Sequence, residues 1–362
     1  MGELIAIDLF SGAGGTTAGL KKAGINVRLA VELNKIAAKT YTNNNPEVFL
    51  ICDNIQNVSS QELKNNINMS DEDMLLLVAC PPCQGFSSIR KNGIDDERNE
   101  LIFEYLRCIQ DLKPEFLLME NVAGMTRGIG KDIFAKFKNM VSENYDIVYD
   151  VLNSADYGVP QNRKRLVLHG IRKDVVVKMK KYNKELGLPI KTHSKIGGET
   201  PKWINADVIL GLPEIRAGEE YQGKDIYNHL SNNLSDINIE RIRHIRNNGG
   251  SRKSLPDNLS LDCHKNTKGH GDVYGILDIN KPSITITGGC MSYSKGRFGH
   301  PYQDRALSAR EAARLQSFDD DYIFFGKKGA LAKQIGNAVP VKLAQASGFY
   351  FVDLFHTMEE KK

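Results

Sequence analysis

Apolar and polar positions alternate in blocks along the first half of the chain. Short apolar runs predict buried strands at Leu4–Phe10, Val27–Leu33, Val48–Asp53, Met74–Cys80, Glu115–Val122, Asp146–Leu152 and Arg165–Ile171. Amphipathic stretches predict helices at Thr16–Ala23, Lys35–Asn43, Arg98–Leu112 and Lys131–Glu143. Strands that alternate with helices favour an α/β fold with a mostly parallel, doubly wound sheet.

The pattern changes after Arg172. As far as about His300 the chain is rich in Asn, Gly, Ser, Lys and His and has few apolar runs, which predicts a smaller, loop-rich second domain. Within it, Lys178–Gly187 is a candidate connecting helix. A helical pattern returns over Leu307–Phe318, and Leu331–Phe355 predicts a turn interrupted by glycine and then a helix.

Length and composition fit an ordinary globular protein. The 362 residues suggest about two domains. Hydrophobic residues make up 41% and charged residues 25%, and no apolar run approaches the length of a membrane span. The first strand begins at once, without the basic region and apolar core of a signal peptide. We therefore expect a cytoplasmic protein without a membrane segment.

The cysteine count bears on disulfide bonding, and the distribution of charge bears on binding to nucleic acid. The six cysteines are too sparse and irregular for a disulfide scaffold. The net charge is only +4, but the segment from Arg241 to Gly275 holds seven Lys or Arg residues and three Asp residues. Such a local excess is as typical of a solvated face as of a surface that attracts a nucleic acid backbone.

The distinctive residues follow the predicted strands. They are Asp8–Gly15, Glu32, Asp53, Ala79–Gln84 and Glu120–Val122, each at the end of a different strand. Because ligands of open α/β sheets bind beyond the carboxyl ends of the strands, these residues are predicted to share one crevice.

The Gly12-Ala13-Gly14-Gly15 turn between a strand and a helix suits a nucleotide-like ligand, although plain tight turns share this pattern. Glu32 suits the hydroxyls of a ribose, and its alternative is a surface carboxylate.

Cys83 has several interpretations. Cys80-Pro-Pro-Cys83 matches a redox pair or half of a zinc site, and Cys263, His264, His270 and Cys290 are available as further ligands. Their spacing matches no common zinc module, so no metal is predicted. A structural cysteine and a nucleophile remain. A thiolate held at a strand end is strongly nucleophilic, and Glu120 could protonate the electrophile that it attacks.

Six sequence blocks resemble the DNA cytosine-C5 methyltransferase family, and they occur in the family's order. They are Asp8–Gly15, Pro82-Cys83-Gln84, Glu120-Asn121-Val122, Gln161–Arg165, Arg310–Phe318 and Gln334–Pro340. The resemblance implies a Rossmann-like S-adenosyl-L-methionine-dependent methyltransferase fold. It also implies a catalytic domain of residues 1–172 plus 327–362, with a target-recognition domain of residues 173–326 inserted in it. The last segment, from Lys327 to about Asp353, is therefore expected to pack back on the first domain.

The resemblance also implies a mechanism. The Cys83 thiolate adds to C6 of a flipped-out cytosine, Glu120 assists at N3, and Arg163 and Arg165 approach the base and its phosphates. The implied cofactor residues are Phe10, Gly12, Ala13, Gly14, Glu32, Leu33, Asp53, Asn54, Pro82, Leu101, Asn337 and Val339. Leu33 replaces an aromatic residue of some family members, and Asn54 replaces a common apolar residue.

Double-stranded DNA is the implied partner of a monomeric enzyme, the methylase of a restriction–modification system. The expected DNA contacts are Gln84, Ser87, Arg241, Arg243, Arg252, Lys253, Lys295 and Arg297, and Gln84–Asn99 is a candidate loop for closing over DNA. Two alternatives are an RNA methyltransferase of the same family, whose Cys-Phe-Thr signature is missing, and an inactive DNA-binding member. The recognised sequence and the presence of a paired restriction endonuclease stay open.

Overall fold

A computed structural model describes residues 2–82, 100–265 and 271–359. The strands are β1 (Leu4–Leu9), β2 (Asn26–Val31), β3 (Phe49–Ile51), β4 (Met74–Ala79), β5 (Phe116–Val122), β6 (Tyr145–Asn153) and β7 (Lys164–Arg172). They form a seven-stranded sheet in the order β3-β2-β1-β4-β5-β7-β6. The first five strands are parallel to one another, whereas β7 runs antiparallel to both β5 and β6. The predicted mixed α/β fold with a mostly parallel sheet is confirmed.

Helices accompany the strands and continue through the second half of the chain. They are α1 (Gly15–Lys22), α2 (Lys35–Asn44), α3 (Ser60–Ile67), α4 (Leu101–Leu112), α5 (Gly128–Val141), α6 (Lys173–Lys180), α7 (Asp236–Asn247), α8 (Asp262–Lys265), α9 (Ala309–Leu315), α10 (Lys328–Asn337) and α11 (Val341–Glu359). Short 3-10 helices lie at Ile55–Asn57, Ala123–Thr126, Ser154–Tyr157, Ala206–Ile209, Arg252–Ser254 and Tyr293–Lys295.

Apolar side chains cover both faces of the sheet. Along β1, Ile5, Ile7 and Leu9 point to the face that α3, α4 and α5 cover, while Leu4 and Ala6 point to the opposite face with α1, α2, α6 and α11. This alternation follows from the two-residue period of a strand. It explains why β4 is a continuous apolar run and why β1 is apolar at every position except Asp8.

Helices α1 and α11 approach each other at glycines. A β-carbon built on Gly19 would lie 2.4 Å from the carbonyl oxygen of Val341, and one built on Gly348 would lie 2.6 Å from the β-carbon of Ala23. Both distances are shorter than real side chains allow, so only glycine permits this backbone approach. Helix α11 therefore belongs to the same layer as the first helix of the chain.

Several details differ from the sequence predictions, among them helix α7, which was not predicted, and α10, which occupies part of the segment predicted as a turn. Helix α3 was not predicted, because only Leu63 and Ile67 mark its buried face. The predicted connecting helix at Lys178–Gly187 was wrong in position: α6 spans Lys173–Lys180, and Asn183 has a positive φ of 54° that does not continue a helix. Helix α4 is described from Leu101 to Leu112, and its predicted start at Arg98 lies outside the described residues.

The chain divides into two compact units. The first contains the described parts of Met1–Tyr157, Lys164–Lys191 and Val341–Lys362, and the second contains those of Gly158–Arg163 and Thr192–Pro340. The sequence placed the boundaries at residues 172 and 327 instead. The first boundary lies later than predicted because α6 packs in the core of the first unit. The second boundary lies later because α10 belongs to the second unit and ends three residues before the boundary.

The second unit is mostly irregular. It has isolated β-bridges, such as Ile276 with Gly299 and Glu220 with Leu230, and a small core around Ile242, Ile245 and Tyr293. A buried ion pair helps to hold it, because the Arg305 guanidinium donates to both carboxylate oxygens of Glu311 at 2.8 and 2.7 Å. Glu311 also completes a capping box with Ser308 at the start of α9.

Candidate active site

The first unit has a topological switch point between β1 and β4. The connection from β1 leads to β2 on one side, while the connection from β4 leads to β5 on the other. The two strands are in register, with Leu9 beside Ala79, and the Cys80 amide donates to the Leu9 carbonyl at 3.3 Å. In open α/β sheets the ligand crevice lies at this position, beyond the carboxyl ends of the strands.

The loop after β1 is wound in the left-handed region. Phe10, Gly12 and Gly14 have φ values of 59°, 56° and 90°. Phe10 is half-buried against the core, and Ala13 is buried. A β-carbon built on Gly12 would meet no atom within 4 Å, so open space lies beside this backbone. The loop therefore offers bare backbone to a ligand, as the sequence predicted for a cofactor turn.

Glu32 spans from the second strand to this loop. One carboxylate oxygen accepts from the Gly12 amide at 2.8 Å, and the other accepts from the Asn34 amide at 2.7 Å. Burial raises the pKa of the Glu32 carboxyl. Two fixed oxygens beside an open glycine loop suit a ligand diol, so the residues fit the ribose of S-adenosyl-L-methionine.

The other predicted cofactor residues differ in their surroundings. Asp53 is exposed and its Oδ1 accepts from the Asn54 amide at 2.6 Å and from Asn57 Nδ2 at 3.0 Å. Asn54 caps the 3-10 helix that follows. Leu33 is 64% exposed and Pro82 is half-buried, whereas Leu101 packs against the core at the start of α4. Asn337, which is exposed, and Val339, which is buried, belong to the second unit.

Asn121 holds the chain where it leaves β4. Its side-chain nitrogen donates to the Pro81 carbonyl at 3.1 Å, and its side-chain oxygen accepts from the Val122 amide at 2.8 Å. The sequence singled out Asn121 only as part of a motif and gave it no role. Cys83, Gln84 and Ser87, together with the candidate loop that ends at Asn99, lie outside the described residues.

Glu120 and Arg165 form a pair at the ends of β5 and β7. Glu120 Oε1 lies 3.0 Å from Arg165 Nε, and each side chain is 13% exposed. Val122 is the cross-strand neighbour of Arg165, so Glu120, two residues earlier, lies diagonally on the same face. Burial lowers the pKa of the Arg165 guanidinium, and the Glu120 carboxylate opposes this change. The two predicted residues are thus in contact.

Asp8 is a buried carboxyl that sequence reasoning did not single out as a separate group. It is fully buried, and its Oδ2 accepts from Thr17 Oγ1 at 2.7 Å. The Thr17 hydroxyl also lies 2.8 Å from the Tyr41 hydroxyl. Burial, together with the Glu32 charge, raises the pKa of Asp8 to about 7. Its position directly before the glycine loop was the only available sequence signal.

Arg163 does not lie where its predicted role requires. Its guanidinium is 2% exposed and donates to the carbonyls of Ile286 at 2.6 Å, Gly336 at 2.9 Å and Ala338 at 3.1 Å. All of these residues are in the second unit. A guanidinium committed to three backbone carbonyls positions the chain, so the prediction that Arg163 approaches a base or a phosphate is corrected.

The neighbouring Gln161 joins the same network. Its amide nitrogen donates to the Leu315 carbonyl at 3.0 Å and to Gln316 Oε1 at 2.8 Å. Gln316 in turn donates to the Ile335 carbonyl at 2.7 Å. Hydrogen bonds inside the second unit therefore join three of the sequence blocks, which are Gln161–Arg165, Arg310–Phe318 and Gln334–Pro340.

Comparisons with known proteins agree with this arrangement. The model of the family C-5 cytosine-specific DNA methylase matches residues 4–348. A Type II methyltransferase from Haemophilus parahaemolyticus, M1.HphI, is 37% identical over 95% of this chain and 85% of its own length. The Type II methylase M.HgiDII from Herpetosiphon aurantiacus is 35% identical over 94% of this chain and 92% of its own length.

The chain belongs to the C-5 cytosine-specific DNA methylase family. Its reaction is the family's transfer of a methyl group from S-adenosyl-L-methionine to C5 of cytosine in DNA. A solved structure of a prophage-encoded DNA modification methyltransferase from E. coli is similar, with a TM-score of 0.68 and 26% identity over 98% of this chain and all of that one. The Spodoptera frugiperda DNMT2 structure, at 18% identity and a TM-score of 0.62, shares the fold.

The basic segment of this methylase is largely paired within the protein. Arg241 is only 9% exposed and donates to the Leu259 carbonyl, so it is not the surface contact that was predicted. Arg243 pairs with Asp304 at 2.6 Å, and Arg297 pairs with Asp272 at 2.8 Å. Lys253 and Lys295 are exposed, and Arg252 is half-buried. Of the expected DNA contacts in the described segments, Arg243, Lys253 and Lys295 are exposed, and Arg243 is paired with Asp304.

Two further features concern the described ranges alone. No helix within them has the length and apolar character needed to cross a membrane. Within the same ranges, no group of three or more His, Cys, Asp and Glu side chains is arranged to hold a metal ion.

Proposed function

We propose that this methylase modifies one cytosine within a specific double-stranded DNA sequence, through a covalent bond between Cys83 and C6 of the flipped-out base. The observation that carries this proposal is the contact between β4 and β5, where Asn121 holds the Pro81 carbonyl and Glu120 lies beside Arg165. Cys83 follows Pro81 by two residues in the sequence, so we propose that its thiol lies near the Glu120 carboxyl.

The chain's own residues divide the chemistry between them. The Cys83 thiolate adds to C6 of the cytosine ring, which makes C5 nucleophilic. Glu120 donates a hydrogen bond or a proton to N3 and so stabilises the charge that develops on the ring. S-adenosyl-L-methionine supplies the methyl group. Loss of the C5 proton and expulsion of the Cys83 thiolate then restore the aromatic ring. Arg165 orients Glu120 through the 3.0 Å contact.

We assign the cofactor to the loop after β1. Glu32 would accept from the ribose hydroxyls, and Gly12 and Gly14 would admit the ligand to the bare backbone. Phe10, Ala13, Leu33, Asp53, Asn54, Pro82 and Leu101 complete the proposed set in the first unit. The roles of Asn337 and Val339 rest on their match to the family's final block alone.

The test of the nucleophile uses the two cysteines of the Cys80-Pro-Pro-Cys83 motif. Cys83→Ala should abolish methylation, whereas Cys80→Ala should retain it, because Cys80 is held by the core with its Sγ 3.6 Å from Thr16 Oγ1. DNA containing 5-fluorocytosine should form a covalent adduct with the wild type and with Cys80→Ala, since fluorine blocks the final elimination. An adduct with Cys83→Ala, or substantial turnover by it, would contradict the mechanism.

We further propose that the chain is the monomeric methylase of a restriction–modification system, acts in the cytoplasm and has a paired endonuclease. The support is that its relatives M1.HphI and M.HgiDII are Type II enzymes. Bisulfite sequencing of DNA from cells that express the chain should show methylated cytosine in one sequence context. Those cells' DNA should then resist cleavage by an endonuclease encoded beside the gene. Methylation in many unrelated contexts would contradict this role.

A further inference from the structure

A turn of the second unit is seated directly on helix α10. The Cys290 amide donates to the Thr287 carbonyl at 2.9 Å, which closes a turn over Thr287–Cys290. A β-carbon built on Gly336 would lie 2.0 Å from the Thr287 carbonyl carbon and 2.3 Å from the Gly288 nitrogen. The turn therefore rests on the backbone of α10 at a position where only glycine fits.

This seating places a lysine on each side of a pair of glycines. Lys333 is three residues before Gly336 on α10, so the two share a helix face, and its Cγ lies 3.6 Å from a β-carbon built on Gly288. The Cγ of Lys295 lies 3.1 Å from a β-carbon built on Gly289. Both lysines are exposed, and both glycines are half-buried.

No described residue pairs with the charged groups of these two lysines. Arg243, Arg246 and Arg297 have carboxylate partners in Asp304 and Asp272. In contrast, the side chains of Lys295 and Lys333 form no ion pair or hydrogen bond with any described residue. The buried Arg163 guanidinium adds positive charge below the turn, where it donates to the Ile286 and Gly336 carbonyls.

We propose that Lys295 and Lys333, on either side of the Gly288-Gly289 turn, bind the phosphate backbone of the DNA substrate. This inference rests on the proposed function, because it assigns part of the surface that the DNA substrate contacts. The two Cγ atoms are at most about 14 Å apart, given 3.8 Å between consecutive α-carbons. Duplex DNA carries one charge per 1.7 Å, so that span offers about eight phosphate charges. Glycine at 288 and 289 leaves room for the backbone to approach between the lysines.

The test is the salt dependence of DNA binding by the full chain. Anisotropy of a fluorescein-labelled duplex of about 30 base pairs is measured from roughly 50 to 200 mM salt. Lys295→Gln and Lys333→Gln should each lower the slope of log K against log salt by about 0.9, and weaken binding about 10-fold at 0.1 M salt. The double variant should lose about twice the slope. Lys224→Gln, an exposed lysine of the same unit, is the matched control and should keep the wild-type slope.

A variant without a charge change keeps the test independent of the lysines. A β-carbon at Gly288 would meet Lys333 and Asn337 at 3.6 to 3.9 Å, which is ordinary contact, so Gly288→Ala should fold as the wild type does. Its methyl group projects at the turn, and we expect weaker DNA binding. Wild-type affinity for this variant would contradict a close approach of the DNA backbone.

The outcomes separate this inference from the proposed function. If the wild type methylates cytosine in duplex DNA but the double lysine variant keeps the wild-type slope, the inference is wrong and the proposed function stands. If the lysine variants lower the salt slope only for binding to a stem–loop RNA, the lysines contact RNA and the proposed DNA contact is wrong. If the wild type neither binds nor methylates duplex DNA, both proposals fail.

Discussion

Arg165 Nε lies 3.0 Å from Glu120 Oε1, although the two residues belong to strands that run in opposite directions. The contact exists because β7 returns antiparallel to β5 with Arg165 beside Val122. A carboxylate that must meet a base edge at a fixed angle gains its orientation from such a partner.

Arg165→Met should lower kcat by about 100-fold or more, because Glu120 loses its orienting partner and general acid catalysis contributes about 10² to 10⁴. Arg165→Lys keeps the positive charge but lacks the Nε donor, so its kcat should lie between those of the wild type and Arg165→Met. Lys164→Met, at the exposed neighbouring position, is the control. Single-turnover methylation with cofactor binding measured separately checks this. A kcat within twofold of the wild type for Arg165→Met would remove Arg165 from the site.

Arg163→Leu should destabilise the protein rather than act on the chemical step. Its removal leaves the Ile286, Gly336 and Ala338 carbonyls without this donor. Each buried polar group that loses its hydrogen-bond partner costs about 1–3 kcal/mol. We expect the free energy of unfolding to fall by about 3 kcal/mol or more in urea titrations. At a temperature where the variant stays folded, its kcat should remain within about tenfold of the wild type. A 100-fold lower kcat in fully folded protein would restore the catalytic role.

Asp8 should make stability depend on pH near neutrality. Its pKa is raised to about 7 in the folded protein from 3.8, so the folded state holds the proton more tightly than the unfolded state. The contribution is therefore complete below about pH 4 and is lost as the pH rises through about 7, by roughly 1.4 kcal/mol per pH unit.

Asp8→Asn tests this directly, because Asn keeps a neutral side chain that can accept from Thr17 at every pH. The variant's stability relative to the wild type should rise between about pH 4 and pH 7 and level off above that. Urea unfolding of both proteins across this range measures the difference. A difference that does not change with pH would mean that Asp8 ionises normally inside the protein.

Gly19→Ala should separate α1 from α11. The added carbon would lie 2.4 Å from the Val341 carbonyl oxygen and 2.6 Å from the Ala344 β-carbon, and neither backbone can yield. Overpacking of this kind costs about 1–3 kcal/mol. Gly329→Ala, on α10 with no atom near the added carbon, should instead stabilise the protein by about 1 kcal/mol. Thermal unfolding of both variants checks the opposite signs, and equal shifts would contradict the close contact.

Periodicity predicted most of the strands, because it is a local property of the chain. Glu120 and Arg165 were both predicted as site residues, yet their pairing follows from the antiparallel register of β7, which no local pattern encodes. The same limit applies to charge. Arg243 counted toward a basic surface, but its partner Asp304 lies about 60 residues later and could not be foreseen from the segment itself.

Arg163 shows a second limit of motif reasoning. It stands two residues before Arg165 in the same block, so the resemblance implied the same role for both. The structure places one side chain among the carbonyls of the second unit and the other beside Glu120 in the first. Arg163 precedes β7 and belongs to the second unit, whereas Arg165 lies in β7 of the first, and a motif does not show where this boundary falls.

The contact between α1 and α11 also sets an order of events during biosynthesis. More than 300 residues separate Lys22 from Val341, and at roughly 5–20 residues per second a ribosome needs about 15–60 s to make them. Until then the apolar surface around Leu20 lacks Phe351 and Leu354, its partners in the finished core. The core of the first unit therefore remains incomplete, with apolar surface uncovered, while the second unit emerges from the ribosome.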